Sequence, residues 1–234
     1  MAVTTRWWWV RHAPVINGRP ELYGHKDLDC TLEDEAAIAQ LAAWLPADAV
    51  WVTSHLKRAI CTADAVRQKI VERAPTPGRA AGTLAAPIVD PAFAEQNFGD
   101  WEGLSFDELR AWLGDGFDTF WKAPAKVAAP KGESFADVIE RVAGGIGRVT
   151  AAHAGRDIIA VAHGGSIRAA LAHALALDPD AALTFRIDNL SLTVIEHMQP
   201  EGGRPEGEAP ERGARTTWRV ASVNSGLRNG VKEW

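Results

Sequence analysis

The stretch that most constrains the fold is Trp7–His12, where three tryptophans and a valine lead directly to an arginine and a histidine. The segment Arg6–Val10 is apolar on both alternating faces, which predicts a central strand covered by helices on both sides. A charged pair at the end of such a strand has two interpretations. Either the strand delivers Arg11 and His12 to a site at its tip, or it simply reaches the surface there.

Strand and helix patterns alternate along the rest of the chain, which predicts a three-layer α/β/α fold with a mostly parallel central sheet. The predicted elements after the first strand are a helix capped by Thr31 that ends before Pro46, a strand at 49–54, a helix at 55–74, a helix over Glu133–His153, a strand, glycine turn and helix over 157–177, and an antiparallel strand pair at 190–198 and 216–223.

The chain is predicted to form one domain over 1–234, since 47% hydrophobic content supports a sizeable core. Residues 90–132 contain short helical patterns and polar linkers, and we expect them to form a cap or insert over a site. The segment 199–215 is rich in Gly, Pro, Glu and Arg. Because this composition cannot bury a core, we expect a flexible connector there.

Charge and cysteine content exclude several classes of partner and site. Thirty acidic against 25 basic side chains give a net charge of -5, and no block of Lys and Arg marks a nucleic-acid or membrane surface. We therefore expect a small soluble partner. The two cysteines, Cys30 and Cys61, lack the spacing of a disulfide scaffold or a zinc site. With no signal peptide or spanning segment recognised, the expected compartment is the cytoplasm.

Two of the seven histidines, His12 and His163, each end an apolar strand. Ligands bind beyond the carboxyl ends of the strands in sheets of this kind. Each histidine has an arginine close in sequence, Arg11 or Arg168, and His163 precedes two glycines and a helix start whose free N–H groups suit an anion. This arrangement predicts a phosphate pocket. The remaining histidines are expected to be surface or structural: His25, His55, His153, His173 and His197.

Two other phosphatase signatures compete with this interpretation. Cys61 and Arg67 have the C-x5-R spacing of cysteine-dependent phosphatases, but no glycine lies between them and the segment continues a helical pattern, so we expect Cys61 to be a small buried residue. Asp27–Thr31 has the D-x-D-x-T form of aspartyl-phosphate hydrolases, but a polar loop precedes Asp27 instead of an apolar strand. A helix N-cap with loop acids is the alternative.

Six motifs, taken in order, carry a family resemblance: VRHAPV, YGHKD, SHLKRAICTADAV, EQNFGDWEG, KGESFADVIERV and VAHGGSIR. Together they resemble the histidine phosphatase superfamily, also called phosphoglycerate mutase-like, and are most similar to its alpha-ribazole phosphatase-like branch. The resemblance implies a phosphoglycerate mutase-like fold and a covalent phosphohistidine on His12. It also implies that Arg11, Arg58 and His163 bind the phosphoryl group and that Glu95 donates a proton.

The chain departs from the family pattern at Ala13, where a glycine is usual. No counterpart of the arginine-rich lid of the glycolytic mutases is found, so a phosphomonoester hydrolase is favoured over a mutase. No cluster of His, Asp and Glu has a recognisable metal-ligand spacing, and arginines already neutralise the phosphate, so the hydrolase is expected to be metal-independent and to need no cofactor. A mutase and a non-catalytic phosphate-binding module are the alternatives. Gly164 and Tyr23 are further candidates for substrate binding, whereas Asp100 and Glu102 are expected to be solvated loop acids. The alcohol half of the substrate and the oligomeric state are left open.

Overall fold

The computed structural model describes residues 3–73, 84–199 and 218–226. Its helices and strands, in chain order, are β1 (Val3–Arg11), α1 (Glu35–Trp44), β2 (Val50–Thr53), α2 (Lys57–Arg73), β3 (Ile88–Val89), α3 (Phe106–Leu113), α4 (Phe117–Lys122), α5 (Phe135–Ala152), β4 (Asp157–Ala162), α6 (Gly164–Leu175), α7 (Pro179–Leu183), β5 (Leu192–Gln199) and β6 (Trp218–Ser225). Of the predicted connector 199–215, only Gln199 belongs to the described residues, as the last residue of β5.

The described strands form one six-stranded sheet in the order β3-β2-β4-β1-β5-β6. Strands β3, β2, β4 and β1 run parallel, whereas β5 is antiparallel to both β1 and β6. The predicted mostly parallel sheet with an antiparallel C-terminal strand pair is therefore confirmed. The register pairs Arg11 with Ala162, so β1 and β4 end side by side.

Strand β1 lies between two apolar cores, as its two apolar faces predict. Trp7 and Trp9 stack with ring centroids 5.2 Å apart in the core that includes α5 and α6, while Val10 belongs to the core that includes α1 and α2. Trp8 is only half-buried, and its Nε1 donates to Asp157 Oδ1 at 2.9 Å. The strand is thus fixed on both faces along its approach to His12.

Helix α1 begins later than predicted. Thr31 does not cap it, because the Thr31 amide bonds to Pro14 O at 2.8 Å beside an isolated bridge between Val15 and Cys30. The cap is Asp34, whose carboxylate accepts from the Ala37 amide at 3.0 Å. An acidic cap also suits the positive end of the helix dipole.

Helix α5 occupies most of its predicted range, with Ser134 as N-cap in a capping box completed by Asp137. Within this helix, Gly145 has a packing role. A Cβ at Gly145 would lie 2.9 Å from Ala92 Cβ and 3.0 Å from Phe93 Cζ. The glycine therefore lets the turn at Pro91–Phe93 approach the helix closely.

The segment predicted to be a cap contains α3, α4 and several single turns. Trp101, Leu109 and Ala129 form a small apolar cluster of their own within it. Trp101 is buried in that cluster. The role of 90–132 as a cap remains a proposal. No helix among the described residues is long and apolar enough to span a bilayer.

Candidate active site

The ends of β1 and β4 place two imidazoles next to each other. His12 and His163 directly follow these paired strands, and the His12 amide continues the pairing by donating to Ala162 O at 3.0 Å. Their ring centroids lie 5.0 Å apart, and both residues are fully buried. The two strand-end histidines singled out in the sequence therefore belong to one cluster.

The His12 ring is held in a single tautomer. Its Nδ1 lies 2.6 Å from Ala13 O, and since a carbonyl only accepts, Nδ1 carries the proton. The other nitrogen, Nε2, is buried without a hydrogen-bond partner among the described residues. Burial lowers the pKa of His12 to about 3, with Arg11 and Arg58 contributing to the decrease against the raising effect of the Ala13 bond. At neutral pH the Nε2 lone pair is therefore free.

His163 is also neutral and fixed at both nitrogens. Arg58 Nε donates to its Nδ1 at 3.3 Å, and its Nε2 lies 2.7 Å from Ser54 Oγ. Because Nδ1 accepts from the guanidinium, the proton is on Nε2 and is shared with the serine. Burial lowers the pKa of His163 well below its ordinary value, and the neighbouring His12 and arginines add to the effect.

Two guanidinium groups are fixed beside the imidazoles. Arg58 is fully buried and donates to Gly24 O at 2.6 Å and Lys26 O at 2.8 Å, with its Cζ 5.0 Å from the centre of the Tyr23 ring. Arg11 donates through Nη1 to Ile187 O, and its Nε is buried without a partner. Neither forms an ion pair with a carboxylate in the described part of the chain. Their positive charges are therefore available to an anion.

Glu95 reaches the same cluster from the loop after β3. Its Oε1 accepts from the amides of Gly165 and Gln96, both at 2.9 Å, and Oε2 lies 3.2 Å from the Gly165 nitrogen. The carboxylate therefore lies at the N-terminus of α6, where the helix dipole favours negative charge. Gly164, the first residue of α6, follows His163 directly.

The backbone beside Glu95 is held by residues that the sequence did not identify. Arg141 donates to Glu95 O at 2.8 Å and to Ala94 O at 3.0 Å, and it pairs with Glu133. His25, expected to be surface or structural, has its Nε2 2.8 Å from Glu95 O. These contacts join segments far apart in sequence, and the GES motif that contains Glu133 was the one available signal.

Tyr23 and Glu102 occupy the loop side of the site. The Tyr23 ring is near both Arg58 and His12, with its centroid 5.0 Å from Arg58 Cζ and 6.5 Å from the His12 centroid. Glu102 was expected to be a solvated loop acid, and this is wrong, because its Oε1 accepts from the amides of His25 and Phe98. Asp100 does lie at the surface, where it pairs with Lys131 at 3.0 Å.

The competing phosphatase signatures are not assembled into sites. Cys61 lies on α2 and is exposed, so its predicted burial is wrong; the buried face of the helix at this point carries Ala59, Thr62 and Ala63. Asp27 lies in a loop and accepts from the Lys57 amide at 2.8 Å, which caps α2. Among the described residues, no group of three or more His, Cys, Asp and Glu side chains has an arrangement that could hold a metal ion.

Known proteins resemble this chain in sequence and in fold. The model of the histidine phosphatase superfamily (branch 1) matches residues 7–206. The chain is 34% identical over 119 residues to the bifunctional protein Rv2228c of Mycobacterium tuberculosis, a match that covers 47% of the chain and 30% of that protein. The chain thus spans less than a third of the length of the first curated relatives it matches.

Solved structures are similar over nearly the whole chain. YhfR of Bacillus stearothermophilus matches with a TM-score of 0.69 and 27% identity, covering 93% of this chain and 95% of that one. A putative alpha-ribazole-5'-P phosphatase of Escherichia coli matches with a TM-score of 0.72 and 20% identity, covering 94% and 96%. The second likeness concerns the fold alone.

Proposed function

Because the chain belongs to the histidine phosphatase superfamily, we propose that it hydrolyses small phosphomonoesters through a phosphohistidine at His12, without a metal ion. The observation that carries this proposal is the His12 ring: it is neutral, its Nδ1 is committed to Ala13 O, and its buried Nε2 is unpartnered. An imidazole in this state is a nucleophile, because its Nε2 does not first have to lose a proton.

In the first step, Nε2 of His12 attacks phosphorus and the bond to the leaving oxygen breaks. The phosphoryl oxygens lie beside His163 and against Arg11 and Arg58, which provide fixed positive charge and hydrogen-bond donors. Neutral His163 accepts from Arg58 and so holds its guanidinium in place. Protonated Glu95 gives its proton to the leaving oxygen, so the alcohol departs neutral. The positive charge that develops on the imidazole is stabilised by the Nδ1–H bond to the Ala13 carbonyl.

In the second step, water attacks the phosphohistidine. The Glu95 carboxylate takes the proton of the water, the Nε2–P bond breaks, and inorganic phosphate leaves with His12 neutral again. The amide of Gly165 lies within reach of both Glu95 oxygens and holds the carboxyl group in place during both steps. Tyr23 and Gly164 border the same space and complete the proposed binding surface.

Two alternatives remain for the same site. A mutase would retain the phosphoryl group while the substrate turns, but no counterpart of the arginine-rich lid is found in the sequence. A binding module without catalysis would not need both His12 and Glu95, and both are present.

The cysteines are free, which suits a reducing compartment, and we propose the cytoplasm.

Rapid quench with a 32P-labelled phosphomonoester tests the proposal. We expect an acid-labile, base-stable phosphoenzyme in the wild type and none in His12→Ala, with phosphate release unchanged by EDTA. His153→Ala, at the C-terminal end of α5, is the matched control and should retain the phosphoenzyme. An acid-stable adduct, an adduct that survives in His12→Ala, or loss of activity in EDTA with rescue by magnesium would reject the proposal.

A further inference from the structure

Ser54 is a buried polar residue that none of the steps above uses. It directly follows β2, the strand that pairs with β4 on the side away from β1, and it is fully buried. Its Oγ lies 2.7 Å from His163 Nε2 and accepts from the Leu56 amide at 3.3 Å. Ser54 is therefore connected to the site through the imidazole of His163.

The hydroxyl of Ser54 bears on which nitrogen of His163 carries the proton. A serine oxygen has two lone pairs, of which the Leu56 amide uses one and the other is available to the Nε2 proton. On the opposite side of the ring, Arg58 Nε donates to Nδ1 at 3.3 Å, and a guanidinium only donates. A proton on Nδ1 would therefore face another N–H, whereas a proton on Nε2 satisfies both contacts.

The contact with His163 is one of three that fix the plane of the Arg58 guanidinium. Its Nε donates to His163 Nδ1, its Nη1 to Lys26 O at 2.8 Å and its Nη2 to Gly24 O at 2.6 Å. A guanidinium has five N–H donors, so the donors outside these three contacts are available to phosphoryl oxygens. Their direction depends on the plane of the fork, and the Nε contact is the one made by a side chain.

We propose that Ser54 is a positioning residue for phosphoryl transfer, because it keeps the His163 proton on Nε2 and so leaves the Nδ1 lone pair to aim the Arg58 guanidinium. This inference rests on the proposed function and adds a residue that acts on the phosphoryl group through two others. Without the hydroxyl, the Nε2 proton loses its acceptor in a buried site, which is costly. The Nδ1–H tautomer is then populated and pushes Arg58 Nε away.

Nitrogen-15 NMR of the imidazole rings tests the tautomer directly. At neutral pH we expect His163 of the wild type to be protonated on Nε2 alone, and Ser54→Ala to populate the Nδ1–H form. His12 is an internal reference of the opposite kind, since its Nδ1 carries the proton. A wild type in which the His163 proton lies on Nδ1 would overturn the inference, as would an unchanged tautomer in Ser54→Ala.

Titration calorimetry with orthophosphate measures the effect on binding independently of turnover. Loss of one hydrogen bond in a buried network predicts a roughly 10-fold weaker affinity in Ser54→Ala, and kcat/KM for p-nitrophenyl phosphate should fall by a similar factor. In a His163→Asn background, Ser54→Ala should change the affinity by less than about twofold, because its connection to Arg58 is already lost. Additive losses in the double variant would overturn the inference, because they would show that Ser54 supports the fold and does not act through His163.

Ser191→Ala is the matched control, since it removes a serine hydroxyl that is equally buried and has no hydrogen-bond partner among the described residues. Its phosphate affinity should stay within about twofold of wild type. An equal loss in Ser191→Ala would assign the effect to packing and overturn the inference. A wild type that neither binds orthophosphate nor releases phosphate from p-nitrophenyl phosphate would instead reject the proposed function itself.

Discussion

Gly165→Ala should remove the proposed proton donation by Glu95 without damaging the fold. A Cβ at residue 165 would lie 2.1 Å from Glu95 Oε1 and 3.3 Å from Glu95 Cδ, with the next atom, Gln96 N, at 3.8 Å. Ordinary contact requires 3.4–4 Å, so the carboxylate has to retreat by about 1 Å. The end of a flexible side chain moves at little cost, and Gly165 does not have a positive φ, so its backbone conformation is compatible with alanine.

The size of the expected loss in rate follows from the displacement of the Glu95 carboxylate. General acid catalysis contributes about 100- to 10,000-fold, and a misplacement of about 1 Å can cost about 100-fold. Single-turnover phosphoenzyme formation from an alkyl phosphate should therefore slow by about 100-fold in Gly165→Ala. For p-nitrophenyl phosphate the loss should stay within about threefold, since this leaving group, with a pKa of roughly 7, needs little protonation.

Gly147→Ala is the matched control, because a Cβ there meets nothing within 4 Å on α5. It should leave both rates near wild type, and the thermal midpoints of both variants should equal or exceed that of the wild type. Equal slowing for the two leaving groups, or full activity of Gly165→Ala on the alkyl phosphate, would refute the placement of Glu95 as the acid.

Three further predictions concern other residues. Arg141→Met releases the Glu95 backbone and should slow turnover of alkyl phosphates by roughly 10-fold more than that of p-nitrophenyl phosphate. Arg148→Met, which removes a salt bridge to Asp90 from the same helix, should show no such difference. Because the pKa of His12 is lowered to about 3, the unfolded chain alone gains this proton as pH falls from about 6.5 towards 3. The free energy of unfolding should then fall by about 1.4 kcal/mol per unit more steeply than in His12→Gln, and parallel denaturation curves would contradict this. Cys61→Ser should keep turnover within about twofold, as the thiol is exposed away from the cluster; a thousandfold loss would restore it as the nucleophile.

The sequence predicts those parts of the site that depend on local order. His12 and His163 each follow an apolar strand, and the carboxyl ends of parallel strands meet at one edge, so their proximity was predictable. The contacts of Glu95 were not, since His25 lies 70 residues away from it and Arg141 lies 46 away. Such contacts form only when loops close over the sheet.

The predictions for Cys61, Glu102 and Thr31 were wrong for the same reason, since each depends on contacts between segments that are far apart in sequence. Helical spacing alone does not say which face of α2 meets the sheet, and Cys61 lies on the outer one. Composition predicts that loop acids are solvated, but Glu102 satisfies two backbone amides instead. Thr31 and Asp34 are both acceptable caps, and only the bridge between Val15 and Cys30 decides between them.

The central position of β1 has a consequence for how this site can change over evolutionary time. The His12 amide is bonded to Ala162 O between strands that are covered on both faces, so its hydrogen exchange should require opening of the whole sheet. The Glu95 loop and the helices of 90–132 lie outside that sheet. New substrate preferences can therefore arise by substitution in these outer segments, while His12, the proposed nucleophile, is inherited unchanged.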